Sequence, residues 1–96
     1  MPYYIYILRS LKDGKLYTGH TSDLVERLLR HNEGRVKSTK NRRPLELIYF
    51  EEHDSRSSAM KRESYLKSPE GGPLKSKLIE DFERNQLDDF LKKTVG

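Results

Sequence analysis

The segment YYIYIL, residues Tyr3 to Leu8, places the strongest constraint on the fold. It is aromatic and β-branched and contains almost no polar side chain. This composition is typical of a strand that is buried on both faces of its sheet. Such a strand lies in the middle of a sheet. The segment therefore predicts a central strand with packed side chains on both of its faces.

A hairpin is predicted directly after this strand. Asp13-Gly14 is a tight-turn signal, because a two-residue turn needs positive φ and glycine adopts it without strain. Residues 15–18 then form the returning strand, with Ser10 opposite Tyr17. In this register Tyr6 and Tyr17 share one face of the sheet but lie about 13 Å apart, at ~3.3 Å per residue. Long side chains, strand twist or a bulge would have to close that gap.

The next segment has the pattern of an amphipathic helix. Ser22 or Asp23 can cap its N-terminus, and Gly34 suits the position just after its C-terminus. At ~100° per residue an apolar stripe runs along the helix, formed by Leu24, Val25, Leu28 and Leu29. Arg27 and His31 fall one turn apart at the edge of this stripe. They are therefore predicted to be neighbours at the rim of a core, where a site could form.

A second helix carries a glutamate in an unusual place. Asp54 or Ser55 can cap this helix, which is predicted to end near Lys67. Glu63 falls inside its apolar arc rather than opposite it. A carboxylate in such surroundings is costly unless a cation accompanies it. Lys67, Arg27 and a metal ion are the alternatives for that cation.

The remaining segments complete an α+β domain. Residues 45–50 form a third strand, and residues 74–93 have the apolar spacing of one or two amphipathic helices. The order β-β-α-β-α-α predicts a three-stranded antiparallel sheet flanked by helices. The 96 residues make one domain, 1–96, because a second independent core would be too small to fold.

Basic residues are concentrated in the first half of the chain. Residues 1–45 contain ten Lys and Arg against four Asp and Glu, whereas residues 46–96 contain nine against eleven. The densest basic cluster, with no acid among its members, consists of Arg35, Lys37, Lys40, Arg42 and Arg43. We call residues 35–43 the basic loop. It suits the phosphate backbone of a nucleic acid, although a solvated basic loop would look the same.

Composition also excludes several classes of protein. The chain has no cysteine, so disulfides and thiolate metal sites are excluded. No apolar run approaches the ~20 residues that span a bilayer. The N-terminus lacks the basic and apolar regions of a secretory signal. We therefore expect a cytoplasmic protein.

Taken in order, these residues resemble the GIY-YIG nuclease family. Tyr4-Ile5-Tyr6 matches the first half-motif, with tyrosine in place of the leading glycine, and Tyr17-Thr18-Gly19 matches the second, with threonine in place of isoleucine. Arg27 and His31 fall where the family places an arginine and a histidine on its first helix. Glu63 resembles the family's glutamate. The resemblance is closest to small stand-alone bacterial members of the UPF0213 type.

The resemblance covers roughly residues 3–67 and implies a GIY-YIG-type fold and a chemistry. It implies an endonuclease that hydrolyses phosphodiester bonds with one divalent metal ion, Mg²⁺ or Mn²⁺. Structure-dependent cleavage in DNA repair or processing is the expected role, with DNA rather than RNA as the partner. The catalytic residues would be Tyr6, Tyr17, Arg27, His31 and Glu63, with Gly19 as a structural motif residue.

Each of these residues has a chemically reasonable role under the resemblance. Glu63 is a hard oxygen ligand that suits the metal ion. Arg27 offers a planar fork of donors to phosphate oxygens. Tyr6 or Tyr17 would order or deprotonate the attacking water, and the sequence does not decide which. His31 could shuttle a proton or bind phosphate. Lys67 and the basic loop would contact the nucleic acid.

Two other interpretations remain open at this stage. A nucleic-acid-binding module that kept the fold and lost turnover would need only the basic loop. An interaction protein could instead use its C-terminal amphipathic helices. His20 and His53 are assigned no role, because a lone histidine is more often structural than catalytic. The sequence predicts neither the oligomeric state nor the biological pathway.

Overall fold

A computed structural model of the protein describes residues 2–95. That part of the chain forms three strands and three α-helices, in the order β1 (Tyr3–Ser10), β2 (Leu16–Thr21), α1 (Leu24–Asn32), β3 (Leu45–His53), α2 (Arg56–Lys67) and α3 (Gly72–Val95). Short 3₁₀ turns cover Lys40–Arg42 and Pro69–Gly71. The predicted α+β class and the predicted order of elements are confirmed.

The sheet is antiparallel with strand order β2-β1-β3, so the YYIYIL segment is its central strand, as predicted. Tyr6 lies opposite Gly19 of β2 on one side and Phe50 of β3 on the other. Ile5 and Ile7 are completely buried. The low polarity of this segment follows from its position, because neighbouring strands and helices exclude water from all its sides.

The predicted hairpin register was wrong by two residues. Tyr17 lies opposite Leu8 rather than Ser10, because five residues rather than two connect the strands. Gly14 has a φ of 75°, but Asp13 does not have positive φ. The two-residue turn that needs positive φ at both positions therefore does not form. A shift of two residues leaves every side chain on its predicted face.

Helices cover both faces of the sheet. On one face, α1 packs over a buried cluster formed by Tyr6, Leu8 and Leu45. On the other face, α2 and α3 cover a larger set of buried side chains: Ile5, Ile7, Ile48, Tyr49, Ala59 and Leu66. Side chains alternate along β1, and this alternation assigns its odd-numbered residues to α2 and α3 and its even-numbered residues to α1.

Helix α1 has the predicted ends but a different buried face. Asp23 caps it by accepting a hydrogen bond from a backbone N–H of the first turn, and Gly34 follows it with a φ of 78°. Val25 and Leu29, predicted to lie in the apolar stripe, are 71% and 58% exposed. His31, predicted at the rim, is completely buried. The helix is rotated so that the hydrogen-bonded imidazole replaces two aliphatic side chains in the core.

The last two helices agree with the predicted pattern. α2 begins after its cap, Ser55, and ends at Lys67, while α3 is a single helix. Leu74 and Leu78 of α3 pack against the core. Three side chains of the predicted apolar repeat lie outside the part of the chain whose side chains are described: Leu87, Phe90 and Leu91. None of the described helices is long and apolar enough to cross a membrane.

A polar network ties β3 to α2 and so fixes the helix that carries Glu63. Glu51 accepts a hydrogen bond from the Tyr49 hydroxyl and lies 2.7 Å from Arg62 Nε and 2.9 Å from His53 Nε2. Burial acts to raise the pKa of Glu51, but hydrogen bonds from Arg62, Tyr49 and His53 outweigh it and hold the pKa below its ordinary value. The network is therefore an anchor for α2.

Candidate active site

Tyr6 extends across the backbone of the edge strand β2 at Gly19. The two residues are paired in the sheet, and a Cβ atom on Gly19 would lie only 2.5 Å from Tyr6 Oη and 2.7 Å from Tyr6 Cζ. Both distances are much shorter than carbon makes to a non-bonded atom. Gly19 is therefore required by the close approach of the Tyr6 ring, and not by a special backbone conformation.

Three rings meet on the α1 face of the sheet. The centroids of Tyr6 and Tyr17 are 6.2 Å apart, about half the separation expected from the predicted register. The His31 ring lies against both, with centroid distances of 5.8 Å to Tyr6 and 5.0 Å to Tyr17. Tyr17 is partly exposed, whereas Tyr6 is 3% exposed. Tyr17 is thus the phenol of the pair that solvent and a substrate can reach.

His31 is bonded at both ring nitrogens within the core. Its Nε2 lies 3.0 Å from Tyr6 Oη, and its Nδ1 lies 2.7 Å from Thr39 Oγ1. Burial and, to a smaller extent, the positive charge of Arg27 lower the pKa of His31 to about 4. A neutral, completely buried imidazole offers no positive charge to a phosphate. Of its two predicted roles, the geometry favours hydrogen bonding and proton exchange with Tyr6.

Tyr6 holds its own proton tightly. Burial raises its pKa above the ordinary value of a tyrosine, and interaction with the Tyr17 hydroxyl adds to the rise. The negative charge of Glu63 acts in the same direction, while the positive charge of Arg27 acts against it. Tyr6 is therefore a hydrogen-bond donor behind the site and a poor candidate for the base.

Arg27 contributes a guanidinium that is not fully satisfied. It lies on α1 one turn before His31, and its side chain is partly exposed. Among the described residues, its buried Nε has no hydrogen-bond partner. A buried donor without a partner costs roughly 1–3 kcal/mol. Arg30 Nε is in the same situation, so this feature does not by itself distinguish Arg27. The partly exposed, planar guanidinium of Arg27 nevertheless suits a phosphate group.

Glu63 projects from α2 on the opposite face and is paired twice. Its Oε1 lies 2.8 Å from His20 Nδ1, and its Oε2 lies 3.2 Å from Lys67 Nζ. Lys67 is one of the cations predicted for it. His20 was assigned no role, although strand alternation carries a signal: it follows Gly19 and must therefore point to the α2 face.

The two halves of the site meet around the exposed edge of β2. Lys67 Nζ, bonded to Glu63, also lies 6.0 Å from the centroid of the Tyr17 ring. The candidate residues of β2 and α2 are thus brought together at this edge through Lys67.

The donor set at Glu63 fits a hard divalent cation bound largely through other ligands. Within residues 2–95, no group of three or more His, Cys, Asp or Glu side chains could hold a metal ion. Mg²⁺ is commonly bound by one or two carboxylates, with water and substrate phosphate completing its shell. A cation at Glu63 would take the place of the Lys67 amine at Oε2.

The basic loop lies next to this site. The side chains of Arg35, Lys37, Lys40 and Arg43 are exposed, and that of Arg42 is partly exposed. Thr39, in the same loop, is completely buried and bonded to His31. No sequence signal distinguished this threonine from others in a polar loop.

Lys75 of α3 is a further cation that the sequence did not single out. Burial and the positive charge of Lys67 lower its pKa below the ordinary value of a lysine. Lys75 is therefore close enough to Lys67 for the two like charges to repel each other, and an anionic substrate bound there would relieve this repulsion.

This chain is similar to known proteins in both sequence and overall fold. The family model described as the GIY-YIG catalytic domain matches residues 2–85. A UPF0213 protein of Staphylococcus saprophyticus is 48% identical over 67 residues, which are 69% of this chain and 80% of the relative. A UPF0213 protein of Haloquadratum walsbyi is 43% identical over 67 residues, covering 69% and 74% of the two chains. The solution NMR structure of a UPF0213 protein from Bacillus halodurans is similar, with a TM-score of 0.50, 34% identity and coverage of 81% of this chain and 85% of that one.

Proposed function

Because this chain belongs to the GIY-YIG family, whose domain is a nuclease domain, we propose that it is a divalent-metal-dependent endonuclease that hydrolyses phosphodiester bonds in DNA. One observation carries the proposal: Lys67 Nζ lies 3.2 Å from Glu63 Oε2 and 6.0 Å from the centroid of the Tyr17 ring, which brings the carboxylate of α2 near the accessible phenol of β2. With the guanidinium of Arg27 on α1, these residues supply the groups that attack on a phosphodiester requires.

Arg27 is proposed to hold the scissile phosphate. Its partly exposed guanidinium can donate parallel hydrogen bonds to two phosphate oxygens. Attack by water adds negative charge to the phosphate oxygens. The positive charge of Arg27 is worth most at that moment, because it is in place before the negative charge develops.

Tyr17 is proposed to orient the attacking water by accepting a hydrogen bond from it. It is the more exposed phenol, whereas Tyr6 is buried and retains its proton. Tyr6 supports Tyr17 from behind, because a donated hydrogen bond stabilises negative charge that develops on the Tyr17 oxygen. His31 in turn holds Tyr6 in place through its Nε2.

Glu63 is proposed to bind the metal ion, Mg²⁺ or Mn²⁺. When bound, such an ion supplies positive charge to the phosphate and to the leaving oxygen. With the ion held by Glu63, the Lys67 amine would be available to contact a neighbouring phosphate. His20 continues to orient the carboxylate through Oε1.

The basic loop is proposed to bind the DNA backbone. Phosphate contacts fix the position of a nucleic acid but carry no sequence information. We therefore propose that the domain recognises DNA by structure, in repair or processing of branched or interrupted duplexes. Lys67 extends the basic surface toward the site.

The test is a cleavage assay with branched, single-stranded and supercoiled DNA and structured RNA. Each substrate is incubated with Mg²⁺, with Mn²⁺ and with a chelator. We expect metal-dependent cleavage of DNA by the wild-type protein and loss of that cleavage in Glu63→Ala, with folding retained. Glu70→Ala is the matched control, because Glu70 is an exposed glutamate outside the site. Cleavage that persists in Glu63→Ala or with chelator would disprove the proposal.

A binding module without turnover is the second candidate. One observation favours it: both oxygens of Glu63 are already paired, with His20 and with Lys67, so the carboxylate is stable without a metal ion. Under this alternative, no substrate in the panel is cleaved and the same substrates bind in a salt-sensitive way.

A further inference from the structure

Thr39 differs from its neighbours in the basic loop. The cationic side chains around it face solvent wholly or in part, whereas Thr39 is completely buried. Its backbone closes the turn of the loop by donating to the carbonyl of Val36 and accepting from Arg42. Its hydroxyl does something else, because Oγ1 lies 2.7 Å from His31 Nδ1.

This contact makes Thr39 the inner end of a hydrogen-bonded chain. Thr39 Oγ1 meets His31 Nδ1, and His31 Nε2 meets Tyr6 Oη at 3.0 Å. All three side chains are at most 3% exposed. Water therefore does not compete for these hydrogen bonds. The positions of the protons depend only on the donors and acceptors of the protein.

The direction of donation along these hydrogen bonds follows from the number of protons that the three side chains carry. Within the described residues, the contact with His31 is the hydrogen bond that Thr39 Oγ1 makes. If Nδ1 carried the imidazole proton, the hydroxyl proton of Thr39 would be buried without an acceptor, which is unfavourable. Tyr6, by contrast, has a second possible acceptor for its proton in the neighbouring Tyr17 hydroxyl, which also contributes to the raised pKa of Tyr6. The arrangement that satisfies both hydroxyl protons has Thr39 donating to Nδ1, with the His31 proton on Nε2 and donated to Tyr6 Oη.

The direction of these hydrogen bonds also affects Tyr17. Tyr6 Oη receives a hydrogen bond from His31 and has one proton of its own to donate elsewhere. The neighbouring phenol is Tyr17, whose ring centroid is 6.2 Å from that of Tyr6. A hydrogen bond from Tyr6 to Tyr17 strengthens as negative charge develops on the Tyr17 oxygen.

We propose that Thr39 is a positioning residue: its hydroxyl holds His31 in the tautomer that donates to Tyr6, and so directs the Tyr6 proton toward Tyr17. The effect on cleavage rests on the function proposed above, whereas the tautomer of His31 does not. A threonine that only filled space or anchored the loop would have no influence on either quantity beyond stability.

The first experiment reads the tautomer directly. In protein with ¹⁵N-labelled histidine, correlations between ring protons and ring nitrogens show which nitrogen carries the proton, and His31→Gln assigns the signals. We expect Nε2–H at neutral pH in the wild type and in Thr39→Ser. In the nearly isosteric Thr39→Val, Nδ1 loses its donor and we expect the single Nε2–H signature to be lost. A wild-type His31 protonated on Nδ1 would overturn the proposal.

The second experiment separates turnover from binding. Thr39→Val should lower kcat for the best substrate of the panel about 10- to 100-fold, as loss of a supporting hydrogen bond commonly does, with KM nearly unchanged. Thr39→Ser should restore kcat. Ser57→Ala is the control, because it removes an exposed hydroxyl from α2, outside the basic loop and the candidate site. Wild-type kcat in Thr39→Val would overturn the proposed effect on turnover.

A negative result in one of the two experiments does not determine the result of the other. If the wild type cleaves nothing, the proposed nuclease function is wrong and the His31 tautomer still decides the present proposal. If Thr39→Val does not fold, the tautomer of the wild type and the comparison with Thr39→Ser still decide it.

Discussion

Folding strongly changes the environment of the His31 side chain. Its pKa is lowered from 6.5 to about 4, first by burial and then by the charge of Arg27. The folded protein therefore binds this proton more weakly than the unfolded chain does. The stability linked to His31 is complete above about pH 6.5 and is lost as the pH falls toward 4.

This linkage predicts acid sensitivity well above the range in which carboxylates titrate. Between pH 7 and pH 5, the wild type should lose about 2 kcal/mol of its free energy of unfolding through His31. Urea unfolding at a series of pH values measures the loss. His31→Gln, which keeps a polar side chain but cannot titrate, should be much flatter over this range. An equal slope in both proteins would contradict the lowered pKa.

At the scale of elements, the central strand and the edge strand are fitted together by one ring and one glycine. Gly19→Ala would place a Cβ within 2.7 Å of two Tyr6 atoms and 3.1 Å from Tyr17 Cε1. Neither ring can withdraw easily, because His31 packs against both. We expect a loss of about 1–3 kcal/mol in the free energy of unfolding, together with loss of cleavage.

Gly72→Ala is the matched control for this substitution. A Cβ at Gly72, in the first turn of α3, would meet no atom within 4 Å, so alanine should be neutral or slightly stabilising there. Denaturant unfolding of both variants measures the difference. Adding Tyr6→Phe to Gly19→Ala removes the closest overlapping atom, and the combined loss should be less than additive. Full additivity would show that the overlap is not the cause.

Elements with local signals were predicted from the sequence. The strand of Tyr6, the cap at Asp23 and the end of α1 at Gly34 each depend on residues within a few positions of one another. The hairpin register was wrong because Asp13 does not take the backbone conformation that the short turn needs. A signal from Gly14 alone cannot distinguish a two-residue turn from a longer loop.

The candidate site residues were named from the sequence and stay a prediction, whereas the packing that surrounds them was not predicted. His31 is buried because Tyr6 and Thr39, distant in sequence, satisfy its two nitrogens, and no helical periodicity can report that. The orientation of His20 toward α2 could have been predicted from strand alternation. The unusual position of Glu63 was predicted from the pattern of its helix. The contact between Thr39 and His31 could not have been predicted, because it depends on how a loop folds back onto α1.

For the whole molecule, the uneven distribution of charge predicts how binding responds to salt. Each phosphate contact contributes about 0.9 to the slope of log K against log salt concentration for duplex DNA. Replacing both Lys37 and Lys40, which are exposed, by alanine should reduce the magnitude of the slope by about 1.8. Fluorescence anisotropy with a labelled duplex over a range of salt concentrations measures it.

Lys77→Ala is the control for this prediction. Lys77 is exposed on α3, which packs against the sheet face opposite α1, and its amine is 3.9 Å from Asp81. The slope should stay at the wild-type value in this variant. Equal slopes in the loop variant and the wild type would exclude the basic loop as the binding surface.

The central position of β1 determines when the sheet can form while the protein is being synthesised. β1 can pair with β2 as soon as the hairpin has been synthesised. It can pair with β3 only after that later strand has been made, and the tyrosines can meet residues of α2 only after α2 has been made. Long-range pairing of this kind is the slow part of folding. A chain that is still being translated, or one truncated before Glu63, therefore has its tyrosines but not its carboxylate. The proposed cleavage activity would then first appear only after most of the protein has been made.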